Sequence, residues 1–229
     1  MNLSVKKYSQ IVNLAKKNKF TIFEMLTNYG LFSGDRNLFK TLKIFELLLQ
    51  IKDINGDIIE LGIHKGNTSL LLKKILSIYK IKKKIYLLDH FEGLIHYTNK
   101  DPKASKIYQN KFKSPKKLIS DFISFFNFKD IHFIHQDATK LNNKSFNNKK
   151  FCFVYMDMDL YEPTLKALLS IDKKVVKGGI IVFDEGHKKV WDGEKKAIQE
   201  FLKNNRNYKY FLIDKSDNRQ PDVYLKKIR

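Results

Sequence analysis

Hydrophobic and polar positions change period several times along this chain. Positions 4 to 28 repeat at helical spacing, with Val5, Tyr8, Ile11, Val12 and Ala15 on one stripe. A short loop from Tyr29 to Gly34 follows. The next helical stretch, 36–51, carries Leu38, Leu42, Phe45, Leu48 and Leu49 on its apolar face, with Asp35 placed to cap it. Short apolar runs then alternate with helical ones. They predict strands at 57–61, 84–88, 131–134, 151–156 and 179–184, and helices at 67–79, 115–126, 163–174 and 193–204. Two last β-like runs, 208–213 and 222–227, are joined by a polar loop containing Asn218 and Pro221, which predicts an antiparallel hairpin at a sheet edge. Leu141 to Lys150 reads as a polar surface loop, and 95–114 is a longer excursion of the kind that forms lids or binding loops.

Such alternation predicts an α/β fold with a doubly wound, mostly parallel, seven-stranded Rossmann-like sheet. Residues 1–52 form an N-terminal helical cover and 53–229 the sheet-bearing domain, which closes with the antiparallel C-terminal hairpin. Sheets of this kind bind ligands beyond the C-terminal ends of their strands. Acidic residues collect at those ends: Glu60, Asp89, Asp137, Asp157, Asp159, Asp184 and Glu185. Carboxylates buried at strand ends are costly unless a cation or a reaction uses them, so this placement predicts a single active site.

Composition narrows the partners. A chain of 229 residues suits one α/β domain with a full core. No apolar run is long enough to span a bilayer, and the segment MNLSVKKYSQ lacks the apolar core of a secretory signal, so no membrane partner is expected. Cys152 is the single cysteine, within FCFVYM, which predicts a buried, inert thiol and fits a cytoplasmic setting. The net charge of +20 raises nucleic acid as a partner. Of 44 basic residues, however, only Arg36, Arg206, Arg219 and Arg229 are arginine, the residue that phosphate and base readers favour. The lysines are spread from end to end, which favours a solvated surface that attracts anionic substrates over a nucleic-acid patch.

The turn ELGIHKGNT sets Glu60 at a strand end, followed by Gly62, Gly66, Asn67 and Thr68. Gly62 lets the backbone approach a ligand and Gly66 permits the turn into a helix. Glu60 stands where the dinucleotide fingerprint needs glycine, and its charge would repel a pyrophosphate. S-adenosylmethionine, with its sulfonium and amino groups, suits an acid there. Asp89, 27 residues beyond Gly62, fits an acceptor for ribose hydroxyls, with a helix cap as the alternative. Asp137 and Ala138 end the third strand region, where they meet an adenine edge or form a turn.

The segments GDRNLFKTL, GDIIELGIHKGNTS, LLDHFEGL, MDMDLYEPTLKAL, GGIIVFDEGH and GEKKAIQEFL occur in this order from about residue 34 to 202. In this respect the sequence resembles class I S-adenosylmethionine-dependent methyltransferases and, more narrowly, the macrocin O-methyltransferase family, which methylates sugar hydroxyls. The resemblance implies the fold just described, S-adenosylmethionine as methyl donor, Mg²⁺ (or Mn²⁺), a small-molecule sugar substrate, and homo-oligomer contacts made by the N-terminal segments. Carried over by position, Asp157, Asp184 and Glu185 are metal ligands and Asp159 is the base, with His187 the alternative base. Two departures stand out: the family has two aspartates where this chain has Asp184 and Glu185, and a Gly-Trp-Phe-like segment where it has HQDATKL. A catechol- or caffeoyl-type methyltransferase is the competing enzyme reading. That group has a lysine after its D-x-D motif and an Asp-Asn pair later, against Leu160 and Glu185 here. Trp191, the only tryptophan, falls in a loop beside the acidic pair, where it walls an acceptor pocket or anchors the loop.

Overall fold

The computed structural model describes residues 5–215 and 219–229, with side chains from residue 9 onward; Asn218 and the side chains of Val5 and Tyr8 lie outside the described residues. The first helical stretch is broken into α1 (Val5–Lys17), α2 (Ile22–Thr27) and α3 (Tyr29–Phe32). Lys19 takes a left-handed φ of 58°, and Thr21 then starts α2 with a reciprocal capping box to Glu24. Periodicity alone missed this break because the apolar spacing continues across it. The expected loop at 29–34 is in part α3. Helix α4 (Asp35–Ile51) is N-capped by Gly34, with Asp35 inside its first turn rather than at the cap.

The predicted face of α4 is only partly right. Ile44, Leu47, Leu48 and Ile51 are its buried residues, while Leu38, Leu42 and Leu49 remain 36–48% exposed. This helix carries apolar residues on more than one side, so two stripes fit its period. Only its C-terminal half rests on the sheet.

Strands β1 (Asp57–Leu61), β2 (Ile85–Asp89), β3 (Ile131–His135), β4 (Phe151–Met156) and β5 (Val175–Phe183) are mutually parallel. β7 (Val223–Lys227) pairs antiparallel with β5, and β6 (Tyr208–Leu212) antiparallel with β7. The sheet order is β3-β2-β1-β4-β5-β7-β6. Helices α5 (Asn67–Ile78), α6 (Lys116–Phe125), α7 (Tyr161–Ile171) and α8 (Asp192–Asn204) complete the alternation. α7 begins at Tyr161, two residues earlier than expected, because Pro163 is accommodated in a first turn that needs no N–H from it.

Helices on both faces bury β4 completely, which is why FCFVYM reads as a continuous apolar run. One core lies among α7, α8 and one sheet face, around Val154, Met156, Phe183 and Ile198. The other lies among α4, α5, α6 and the opposite face, around Ile58, Leu72, Phe153 and Tyr155. Strand order reverses between β1 and β4, leaving a crevice where their chains diverge. The chain leaving β1 crosses close over the chain leaving β4. Gly62 has φ +82°, and a Cβ there would stand 1.9 Å from the Asp157 carbonyl oxygen. Within β1, Glu60 is 1% exposed and accepts a hydrogen bond from the Ser69 hydroxyl of α5. Burial pushes its carboxyl up to about 8, outweighing the Ser69 bond and the attraction of Lys40.

Two outcomes follow from this crossing and this carboxyl. Gly62→Ala is expected to lower the unfolding free energy by ~1–3 kcal/mol in urea titration, since both the left-handed backbone and the approach to Asp157 forbid a side chain. Glu60 binds its proton more tightly when folded than when unfolded. Its contribution is therefore fully present below pH 4.5 and lost as pH rises through about 8. Glu60→Gln should flatten the fall in stability across that window, read from urea midpoints at successive pH values.

Candidate active site

A cavity of about 870 Å³ opens over the C-terminal ends of β1, β2, β4 and β5. Gly62, Asn67, Thr68, Asp89, Asp137 and Ala138 line one half of it, and Asp157, Asp159, Asp184 and Glu185 the other. Ten of the thirteen residues singled out from sequence thus share one wall. Three do not line it. Glu60 is sealed beneath the β1 turn, where its carboxyl, neutral below about pH 8, holds α5 through Ser69. Gly66 acts through its backbone, taking φ +78° as the N-cap of α5 against Ile119. His187 is fixed by its main chain, its N–H donating to Asp222 Oδ2 at 3.1 Å.

In the first half, Asp89 fastens the turn after β1 to the end of β2. Its Oδ2 accepts from the N–H groups of Ile63 (2.8 Å) and His64 (3.3 Å), and its Oδ1 from Phe91 N–H (2.6 Å). Asp137 accepts from the Thr139 N–H and hydroxyl, and His96 Nε2 stands 2.9 Å from its other oxygen. Burial pushes Asp137 up, but the Thr139 bonds together with His96 and His90 hold its carboxyl below the usual range.

The second half is a dense carboxylate cluster. Asp157 follows β4 directly, and Asp159 is turned by a left-handed backbone of φ 60°. Asp184 and Glu185 follow β5 and are 2% and 5% exposed. The counter-charges come from distant parts of the chain. Lys40 of α4 reaches Asp184 Oδ1 at 2.8 Å and Asp157 Oδ2 at 4.0 Å. Tyr155, one strand over, also donates its hydroxyl to Asp184. Glu185 meets Lys188 Nζ at 3.2 Å, the Arg36 guanidinium at 3.9 Å and the Gln220 amide, whose oxygen accepts from Arg36 Nε at 2.9 Å. Glu194 of α8, fully buried, accepts the Glu185 N–H at 3.1 Å.

These neighbours split the acids. Burial opposes the charge of Asp184, yet Lys40, by charge and hydrogen bond, and Tyr155 hold its pKa below the usual carboxylate range. Burial, with Asp184 beside it, pushes Asp157 up to about 8 against Lys40 and Lys188. Asp159 is driven well above its ordinary range by burial and by the charges of Glu185, Asp157 and Glu194.

Lys40, Lys188, Glu194, Gln220 and Asp222 were not legible as site residues in the sequence. Lysines carry no signal in a chain this rich in them, and Gln220 and Asp222 arrive from beyond β6. Arg36 and Lys40 lie in GDRNLFKTL and Glu194 in GEKKAIQEFL, segments that matched without marking these residues.

Among the described residues, no three His, Cys, Asp or Glu side chains already stand as a metal-binding group. The chemistry of the donor set nevertheless suits a hard divalent cation. All donors are oxygens, and Asp157, Asp159, Asp184, Glu185, Glu194 and Asp222 outnumber Lys40, Lys188 and Arg36. Buried oxygens on Glu185, Glu194 and Asp222 have no protein partner.

Comparison with known proteins identifies the fold and the family. The chain superposes on a crystal structure of CalS11, a calicheamicin methyltransferase, with TM-score 0.76 at 20% identity, covering 97% of this chain and 93% of that one. An apo structure of CalS11, described as TDP-rhamnose 3'-O-methyltransferase, gives TM-score 0.70 at 21% identity over 97% and 95%. The O-methyltransferase NovP gives 0.68 at 18% over 87% and 82%. At these identities the likeness establishes the fold. No curated protein matches the sequence. The family description "Macrocin-O-methyltransferase (TylF)" matches residues 32–217, and the chain therefore belongs to the macrocin O-methyltransferase family.

Proposed function

We propose that the protein transfers the methyl group of S-adenosylmethionine to a sugar hydroxyl, on a nucleotide-linked or glycan-attached deoxysugar, with Mg²⁺ or Mn²⁺ as cofactor. The observation that carries this reading is the meeting of two strand-end sets in one cavity: the Gly62, Asp89 and Asp137 turns, and the Asp157, Asp159, Asp184 and Glu185 cluster. The first set suits an adenosyl group, through the open backbone at Gly62 and the acceptor at Asp89. In the second set, Asp157, Asp184 and Glu185 would hold the divalent ion, which supplies the Lewis acidity that lowers a hydroxyl pKa. Asp159 takes the hydroxyl proton. Burial and the neighbouring carboxylates raise its proton affinity, and a divalent ion held by Asp157, Asp184 and Glu185 would offset their charge and let Asp159 ionise to act as base. His187, held through its backbone and absent from the cavity wall, is the weaker candidate.

Arg36 and Lys40 reach the cavity from α4, which supports reading residues 1–52 as a cover on the 53–229 domain. Ile22, Phe23, Leu26 and Leu31, exposed on α2 and α3, support self-association through that cover. The acceptor is a small molecule, not nucleic acid or membrane; among the described residues no helix is long and apolar enough to cross a bilayer. The lone buried Cys152 suits the cytoplasm.

Radiolabelled methyl transfer to TDP-rhamnose and to a panel of methyl glycosides, with caffeate as control acceptor, tests the reading. Transfer to a sugar is expected, lost in EDTA and restored by Mg²⁺ or Mn²⁺; activity indifferent to chelation removes the metal, and transfer to caffeate alone removes the sugar. Asp159→Asn should lower kcat by about 10²–10⁴-fold with S-adenosylhomocysteine affinity unchanged. Retained turnover would reassign the base.

A further inference from the structure

The excursion at 95–114 closes one side of the cavity with aromatic rings. His64 packs edge-on to Phe112 with centroids 5.6 Å apart, Phe112 stacks on Tyr108 at 5.7 Å and 24°, and Tyr108 meets Trp191 at 5.3 Å and 41°. All four line the cavity. The row runs from the turn after β1, on the side of Gly62, to the loop that carries Asp184 and Glu185.

Both ends of this row are held. Asp101, 6% exposed, accepts from the Tyr161 N–H at 2.8 Å and from the Thr98 N–H and hydroxyl at 2.7 and 2.8 Å, so the excursion is tied to the first turn of α7. Gly193 leaves room for that carboxylate; a Cβ there would stand 2.1 Å from Asp101 Oδ1. Lys100 bridges to Glu200 at 2.8 Å, and Lys196 donates to the Lys100 carbonyl at 2.7 Å. Trp191 sits just before α8 with its carbonyl accepting from Glu194 N–H at 3.1 Å. The Glu194 side chain holds the Glu185 N–H, so the Trp191 backbone and the acidic pair are tied to the same residue, one through its main chain and the other through its carboxylate.

A sugar ring has an apolar C–H face and polar edges. An aromatic surface takes the face, and carboxylates take the hydroxyls at the edge. From this juxtaposition we infer that Trp191, backed by Tyr108, is the acceptor subsite: the sugar lays its C–H face on the indole and turns one hydroxyl toward Asp159. Trp191 is thereby a specificity-determining residue, and Asp101 and Glu194 are positioning residues that act through it. The inference rests on the sugar reading above.

Trp191 is the chain's only tryptophan, so its emission reports this subsite alone. In protein saturated with S-adenosylhomocysteine, titration with TDP-rhamnose and with methyl glycosides should change that emission saturably for each sugar the wild type methylates. Trp191→Ala should raise the KM for that sugar about tenfold or more, with a much smaller change in kcat and S-adenosylhomocysteine affinity preserved. Trp191→Phe should recover most of the loss. If Trp191→Ala does not fold, Tyr108→Ala on the excursion carries the same KM test. Turnover by the alanine variant with KM within about twofold of wild type, or a methylated sugar that leaves the emission unchanged, overturns the subsite and leaves sugar methylation standing. Absence of transfer to every sugar by the wild type overturns the proposed function and the subsite together.

Discussion

Crowding of like charge is the constraint around which this molecule is arranged. The sheet delivers four carboxylates to the ends of β4 and β5, and α8 and the segment before β7 add Glu194 and Asp222. Desolvation alone would keep such acids protonated. Their ionisation depends on cations drawn from elsewhere, and Lys40 is foremost among them. It comes from a helix outside the minimal sheet, yet it contacts Asp184 and approaches Asp157 from the buried side. Lys40 is itself largely shielded from water, with 16% of its side chain exposed, and the two aspartates keep it charged despite that loss. Neither partner is tolerable in this interior without the other, so α4 and the strand ends are energetically one unit.

The backbone crossing at the switch point is the second condition. Gly62 and Asp157 directly follow strands that pair over five residues and then separate, and a side chain on Gly62 would collide where their chains part. Close approach there brings the cofactor-type turn and the acidic cluster to one opening. A ligand bound over Gly62 is therefore beside Asp157 by construction, and the proximity a displacement reaction needs is a property of strand order.

The sequence made much of this legible, for identifiable reasons. Strands buried on both faces leave unbroken apolar runs, so FCFVYM and the segment ending in IIVFDE were readable without partners. Acids placed directly after such runs were readable too, because strand ends are where the chain must leave the core. What was not legible depends on contacts far apart in sequence. Lys40 lies within GDRNLFKTL, but as one of many lysines its role there was not readable. Gln220 meets Arg36 across 184 positions. Glu60 differs in another way: it stands before the glycine turn as expected, but the strand's alternation points it into the core, where it meets Ser69. The face of α4 was misassigned because a helix with leucines on several sides does not declare which side meets the sheet.

The cluster's chemistry follows from how unevenly its environment treats acids of the same kind. Asp184 holds a cation and a phenol hydroxyl and stays ionised. Asp159 is surrounded instead by the charges of other carboxylates, so its proton affinity is high. Divergence of pKa values within one site separates a fixed charge from a group that exchanges protons. The left-handed turn at Asp159 contributes to the same end. A residue that stayed in the extended path of β4 would continue the line of Asp157, whereas φ 60° redirects the chain before α7 begins at Tyr161. Such a conformation is disfavoured for a side-chain-bearing residue, and it persists here because β4 and α7 fix the chain on either side. The left-handed turn and the raised proton affinity thus fall on the same residue, the one proposed above as the base.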